Sequence, residues 1–117
     1  MTGQVSFETL WNALSHPAIA TDGDGKIVAF NAAAEQFFSV SARSMTGHSV
    51  AEFAPEGSRL ATLIEQARRD GTSLSERDVE VRRVDSEARL AEVQVSPIND
   101  ESNSSSLLIV MLSLIHI

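Results

Sequence analysis

The chain contains no cysteine, and that one absence excludes disulfides, thiol nucleophiles, cysteine-ligated zinc and iron–sulfur clusters. Basic residues are scarce: nine Lys and Arg stand against sixteen Asp and Glu, a net charge of −7 with histidine neutral. Such a deficit argues against nucleic acid as a partner, because phosphate-backbone binding needs clustered cations that release counterions. Long apolar runs are missing too. The longest, 107–117, is broken by Ser113 and His116 and falls well short of the ~20 residues that span a bilayer as a helix. The opening Met1-Thr2-Gly3-Gln4-Val5 has no basic region leading into an apolar one, so it does not read as a secretory leader. Together these absences predict a cytoplasmic location with neither membrane nor nucleic acid involved.

What remains is ordinary globular composition, 43% hydrophobic and 21% charged over 117 residues, enough for one domain. Few enzymes enclose a cleft with so little chain, and a small regulatory or binding module is the natural expectation.

Along the chain, Ser6 can cap a helix whose Phe7, Leu10, Trp11 and Leu14 recur on one face. His16-Pro17 stops it, since proline pushes the preceding residue out of the helical region. Ala18 to Thr21 reads as a short strand and Asp22-Gly23-Asp24-Gly25 as a hairpin turn. Lys26 to Phe30 then reads as the returning strand. Asn31 caps a short helix over 32–38, and 39–55 is irregular with single helical turns broken at Gly47. A longer helix is expected from Arg59 to Arg69, capped by Ser58, striped by Leu60, Leu63, Ile64 and Ala67, and ended by Gly71.

The rest is β. Val79, Val81 and Val84 alternate with polar residues, Asp85-Ser86-Glu87 suits a turn, and Ala91, Val93 and Val95 alternate with Glu92, Gln94 and Ser96. A period of two marks antiparallel strands with one buried and one wet face. A polar loop from Asn99 to Ser106 precedes a last strand over 107–112. The expected class is α+β: one five-stranded antiparallel sheet with helices packed on a single face, plus an N-terminal flanking helix. The division is 1–15 for that amphipathic helix, 16–112 for the domain and 113–117 for a tail, either the start of a longer chain or a cloning remnant.

The chemical motifs are weak. An EF-hand loop starting at Asp22 would need glycine and glutamate where Ile27 and Ala33 stand. Gly47-His48-Ser49-Val50-Ala51 imitates a nucleophile elbow without the strand that must enter it. His16, His48 and His116 are scattered without ligating spacing. Asn103-Ser104-Ser105 matches a glycosylation acceptor, but nothing marks the chain as secreted. No catalytic and no metal-binding residues are expected. The Phe7, Leu10, Trp11 and Leu14 stripe covers the domain's own sheet, frays, or pairs with its twin in a second copy.

Pro17-Ala18-Ile19-Ala20-Thr21-Asp22, Gly25-Lys26-Ile27-Val28, Asn31-Ala32-Ala33-Ala34 and Phe37-Phe38 together resemble the opening of a PAS sensory domain. More narrowly, Phe53-Ala54-Pro55-Glu56-Gly57-Ser58, Leu63-Ile64, Ala67-Arg68 and Val93-Gln94-Val95-Ser96-Pro97-Ile98 resemble the PAS domain of nitrogen-regulation sensor histidine kinases of the NtrB type. The resemblance spans roughly Leu10 to Leu112. It implies the sensory and dimerising input of a bacterial two-component kinase, acting by protein–protein contact and conformational relay. The phosphorylated histidine and ATP site of such a kinase would lie beyond Ile117. Flavin-binding relatives use a cysteine that this chain lacks, and haem-binding ones a histidine on the long central helix, where 59–69 has none. No cofactor is therefore expected. The matching positions are structural: Asp22 and Gly25 in the first hairpin, and Asn31 after it. The expected partners are a second copy, through Phe7, Leu10, Trp11 and Leu14, and the downstream kinase domains of the same chain. The alternative is a small-molecule receptor whose apolar pocket is lined by Phe30, Phe37, Phe38, Leu63 and Ile64. A filled core of those bulky side chains is the favoured reading.

Overall fold

Four helices begin in one way: the side-chain oxygen of Ser6, Asn31, Ser41 or Ser58 accepts a hydrogen bond from the backbone N–H three residues on. Each cap satisfies a donor that the first helical turn cannot. In this computed structural model, which describes residues 5–54, 57–82, 88–98 and 106–114, the helices are α1 (Phe7–Ala13), α2 (Ala32–Phe38), α3 (Ala42–Met45) and α4 (Arg59–Asp70). A 3-10 turn spans Val50–Phe53. Gly71, at φ +67°, ends α4 in the left-handed conformation that glycine adopts without a Cβ clash. The chain leaves α1 at Leu14, already extended at ψ 134°, ahead of Pro17.

Five strands, β1 (Ala18–Thr21), β2 (Ile27–Phe30), β3 (Leu74–Arg82), β4 (Ala88–Ile98) and β5 (Ser106–Leu114), form one sheet in the order β2-β1-β5-β4-β3. Every neighbouring pair is antiparallel. The last strand therefore lies at the centre and joins the two hairpins, with Ile19 opposite Ile109 and both fully buried. Along β4, Ala91, Val93 and Val95 are buried while Glu92, Gln94 and Ser96 are half-exposed, the alternation expected of a sheet covered on one side. The covered face packs against α2, the 3-10 turn and α4 through Phe38, Phe53, Leu60, Ile64 and Ala67.

Several boundaries differ from the sequence reading: α4 reaches Asp70 and β5 opens at Ser106, one residue beyond and one residue before their expected limits. β5 continues to Leu114, two residues past its expected end, because Ser113 and Leu114 still pair with Glu92 and Ala91 beyond a bulge in β5. Lys26 lies outside β2, in an isolated bridge to Ser49. Val84, the turn at 85–87, most of the loop at 99–106, Asn103-Ser104-Ser105, His116 and the last residues of the 113–117 tail lie outside the described residues.

Candidate functional site

The first hairpin is organised by one carboxylate. Asp22 Oδ1 accepts the backbone N–H groups of Asp24 at 2.9 Å and Lys26 at 3.0 Å. Its own backbone closes the turn, the N–H donating to the Lys26 carbonyl at 2.9 Å and the carbonyl accepting from Gly25 N–H at 3.1 Å. The Lys26 N–H does most to hold the Asp22 carboxyl below its ordinary 3.8; desolvation opposes it, and the Asp24 N–H and the charges of Lys26 and Arg68 assist. Gly25 sits at φ +82°, and a Cβ placed there would lie 2.8 Å from Arg68 Nη2. The hairpin thus meets α4 at a glycine. With Asp22 engaged by the turn, the calcium-loop pattern becomes a backbone clamp.

Asn31 is fully buried and uses both ends of its amide. Oδ1 accepts from Ala18 N–H and Ala34 N–H, and Nδ2 donates to the His16 carbonyl. It is at once the cap of α2 and the anchor of β1.

Ser49 and His48 are each engaged in local structure. Ser49 Oγ accepts from Ala51 N–H at 3.1 Å as the cap of the 3-10 turn. His48 Nδ1 lies 3.0 Å from Glu52 on the exposed face. Among the described residues, no group of three His, Cys, Asp or Glu is placed to hold a metal ion.

Of the five residues expected to line a pocket or fill a core, Phe30, Phe38, Leu63 and Ile64 are buried and Phe37 is half-buried against them. Rings occupy the centre of this region. Phe38 lies 4.7 Å from Phe37, edge to face, 5.7 Å from Phe30 and 4.1 Å from Phe53, which in turn stacks on Phe30 at 5.9 Å. Phe53, Met45 and Val50 are among the core residues that the sequence reading did not single out as core. The spacing of Val50 and Phe53 is the signal that could have found those two, since residues three apart share a face of a 3-10 turn.

The stripe on α1 faces two ways. Phe7 is 69% exposed, Leu10 58% and Leu14 49%, whereas Trp11 is half-buried with its ring stacked on Phe7 at 5.6 Å. The helix is tied to α2 where Ala32 N–H donates to Asn12 Oδ1 at 2.9 Å. Between α1, β2 and the start of α3 lies an open groove of about 510 Å³.

The family model for the PAS fold matches residues 6–115. The chain is 34% identical over 95 residues to a sensory histidine kinase/phosphatase NtrB of Rhizobium meliloti, covering 80% of this chain and 25% of that protein. A second NtrB, of Rhodobacter capsulatus, is 28% identical over 86% of this chain and 28% of its own length. The chain thus spans about a quarter of the curated relatives it matches. Among solved structures, the PAS domain of nitrogen regulation protein NR(II) from Vibrio parahaemolyticus superimposes with a TM-score of 0.77 at 28% identity, covering 93% of this chain and 99% of that one.

Proposed function

From the premise that the chain belongs to the PAS family, we propose that it is the sensory input domain of a cytoplasmic histidine kinase of the nitrogen-regulation type, which dimerises through α1 and passes a conformational signal to kinase domains later in its own polypeptide. The observation that carries this reading is the outward stripe on α1, where Phe7, Leu10 and Leu14 leave large apolar side chains in water. A helix without one buried residue gains little by folding onto its own domain, and a second copy offers it a matching apolar face. Similarity to NtrB proteins over most of the chain supports the kinase context. No helix among the described residues is long and apolar enough to cross a membrane, which agrees with that setting.

On this reading the chain performs no phosphoryl transfer itself. It supplies a relay from the α1 seam through the sheet. The alternative reading, an apolar pocket for a small molecule, is weaker because Phe30, Phe38 and Phe53 touch one another where the ligand would sit. Sedimentation equilibrium tests the first reading: the chain should run as a dimer at micromolar concentration and Leu10→Asp as a folded monomer. Native mass spectrometry tests the second, for which a reproducible bound mass on the purified chain is the supporting result.

A further inference from the structure

Helix α1 rests on the domain without being sealed to it. None of its residues is buried, and the open groove beneath it has Glu8, Trp11 and Asn12 on the α1 side and Phe30 and Glu35 opposite. A hydrogen bond from Ala32 N–H to Asn12 Oδ1 at 2.9 Å ties the helix to α2. Against that tie stands a cost. Trp11 Nε1 lies beneath the surface with no hydrogen-bond partner among the described residues, so docking strips water from an indole N–H and returns no bond. The exit from the helix is built to pivot: Leu14 is already extended at ψ 134°, and two residues later Asn31 Nδ2 pins the His16 carbonyl at 3.0 Å. Movement of α1 is thereby taken up at Leu14 and Ser15 and stops short of β1. The apolar stripe points the same way. Phe7, Leu10, Trp11 and Leu14 recur on one helical face, yet in the docked position Trp11 is half-buried while the other three stand largely exposed. A released α1 can offer all four to another surface.

We propose that α1 is a hinged latch. Docked, it is held by Asn12 on the Ala32 N–H; released, it turns about Leu14 and Ser15, frees the Trp11 N–H and presents the complete four-residue stripe to a second copy. The identity of that partner rests on the dimer proposed for α1, whereas the release does not. A second copy that binds the released form better draws α1 out of its seat, so assembly and release are coupled. Asn12, on the groove side of the helix, is then a restraint on assembly rather than a part of the seam.

Hydrogen exchange over the α1 peptide, read by mass spectrometry, measures the latch, because a released helix of seven residues leaves its amides open to water. It is run first on the Leu10→Asp, Leu14→Asp variant, where charge in the seam prevents assembly. In that background Asn12→Ala should speed α1 exchange about ten-fold and leave β4 unchanged. Alanine's higher helix propensity works against this result rather than for it. Asn12→Asp keeps an acceptor for Ala32 N–H and should exchange close to the parent rate. Benzothienylalanine in place of Trp11 keeps the ring shape but removes the N–H, and it should slow α1 exchange about three-fold or more. In the otherwise unaltered chain, Asn12→Ala should tighten the dimer, lowering its dissociation constant about ten-fold or more by sedimentation. Exchange of α1 that is indifferent to Asn12→Ala, or that the benzothienyl ring speeds, overturns the latch. A dimer weakened or left unchanged by Asn12→Ala overturns the coupling. If the unaltered chain stays monomeric while Asn12→Ala still opens α1 in the charged background, the latch stands and a second copy is excluded as its partner.

Discussion

Asn31 and Ala18 exchange two hydrogen bonds where the sheet begins: Ala18 N–H donates to Asn31 Oδ1 at 3.0 Å, and Asn31 N–H donates to the Ala18 carbonyl at 3.2 Å. The same Oδ1 receives Ala34 N–H at 2.9 Å. Asn31→Ala leaves two backbone donors without their acceptor in a buried position and removes the cap of α2. The expected loss is about 2–4 kcal/mol, read by urea unfolding. Asn31→Asp keeps the acceptor but forfeits the Nδ2 bond to the His16 carbonyl, and it should be destabilised as well. A loss below about 0.5 kcal/mol for the alanine variant would show that water replaces these bonds.

Gly25 gives a second test. Alanine there must hold φ +82°, at a cost of about 1–2 kcal/mol, and its Cβ would meet Arg68 Nη2. That contact is with the far end of a long side chain, which can swing away. Gly25→Ala should therefore lose about 1–2 kcal/mol from its backbone alone, and Arg68→Ala should restore little of it. Substantial rescue in the double variant would instead trace most of the loss to the clash with Arg68.

Asp22 predicts a pH dependence. Its carboxyl is held below its ordinary 3.8, first by the Lys26 N–H, so the folded chain binds this proton less readily than the unfolded one. Its contribution is complete above the unfolded pKa and is lost as pH falls through the lower folded value. Stability should thus decline below pH ~4, and Asp22→Asn, which keeps an Oδ1 acceptor but does not titrate, should decline less steeply there. Parallel acid limbs for the two proteins would exclude Asp22 as a contributor.

Phe53 tests the ring cluster. It is buried, 4.1 Å from Phe38 and 5.9 Å from Phe30, so Phe53→Ala opens a cavity among aromatic neighbours at about 3–5 kcal/mol. Phe37→Ala, which truncates a half-buried ring touching Phe38 at its edge, should cost clearly less. The difference between their denaturation midpoints is the measurement. Equal losses would mean that the cluster yields as one unit.

Much of this architecture was legible because it rests on local rules. Ser6, Asn31 and Ser58 are capping residues ahead of apolar stripes, Gly71 marks the end of α4, and the alternation of Ala91, Val93 and Val95 names the face of β4 that turns inward. What local rules cannot supply is partnership across long separations. Nothing in 107–112 announces that the strand lies between β1 and β4, or that a bulge carries it on to Leu114. The second role of Asn31 was hidden likewise, since capping is readable in sequence but an acceptor for Ala18, thirteen residues away, is not. Phe53 escaped for a related reason: it stands in an irregular stretch where neither the helical nor the strand period applies. The α1 groove needed the fold itself, because Glu8 and Glu35 belong to different helices.

The dimer reading makes a prediction that separates assembly from folding. Leu10 and Leu14 are 58% and 49% exposed within one copy, so replacing both by aspartate removes little packing and should change monomer stability by no more than about 1 kcal/mol. In a dimer the same pair places charge in an apolar seam on both copies, and the dissociation constant should rise at least about a hundred-fold, equivalent to about 3 kcal/mol. Because association adds stability by mass action, the urea midpoint of the unaltered chain should climb as its concentration is raised from one to a hundred micromolar, to take round values of about that size, whereas the midpoint of the Leu10→Asp, Leu14→Asp variant should stay fixed. A midpoint independent of concentration in both proteins would mean that the α1 stripe joins no second copy in this range, and the relay would then have to begin at another surface.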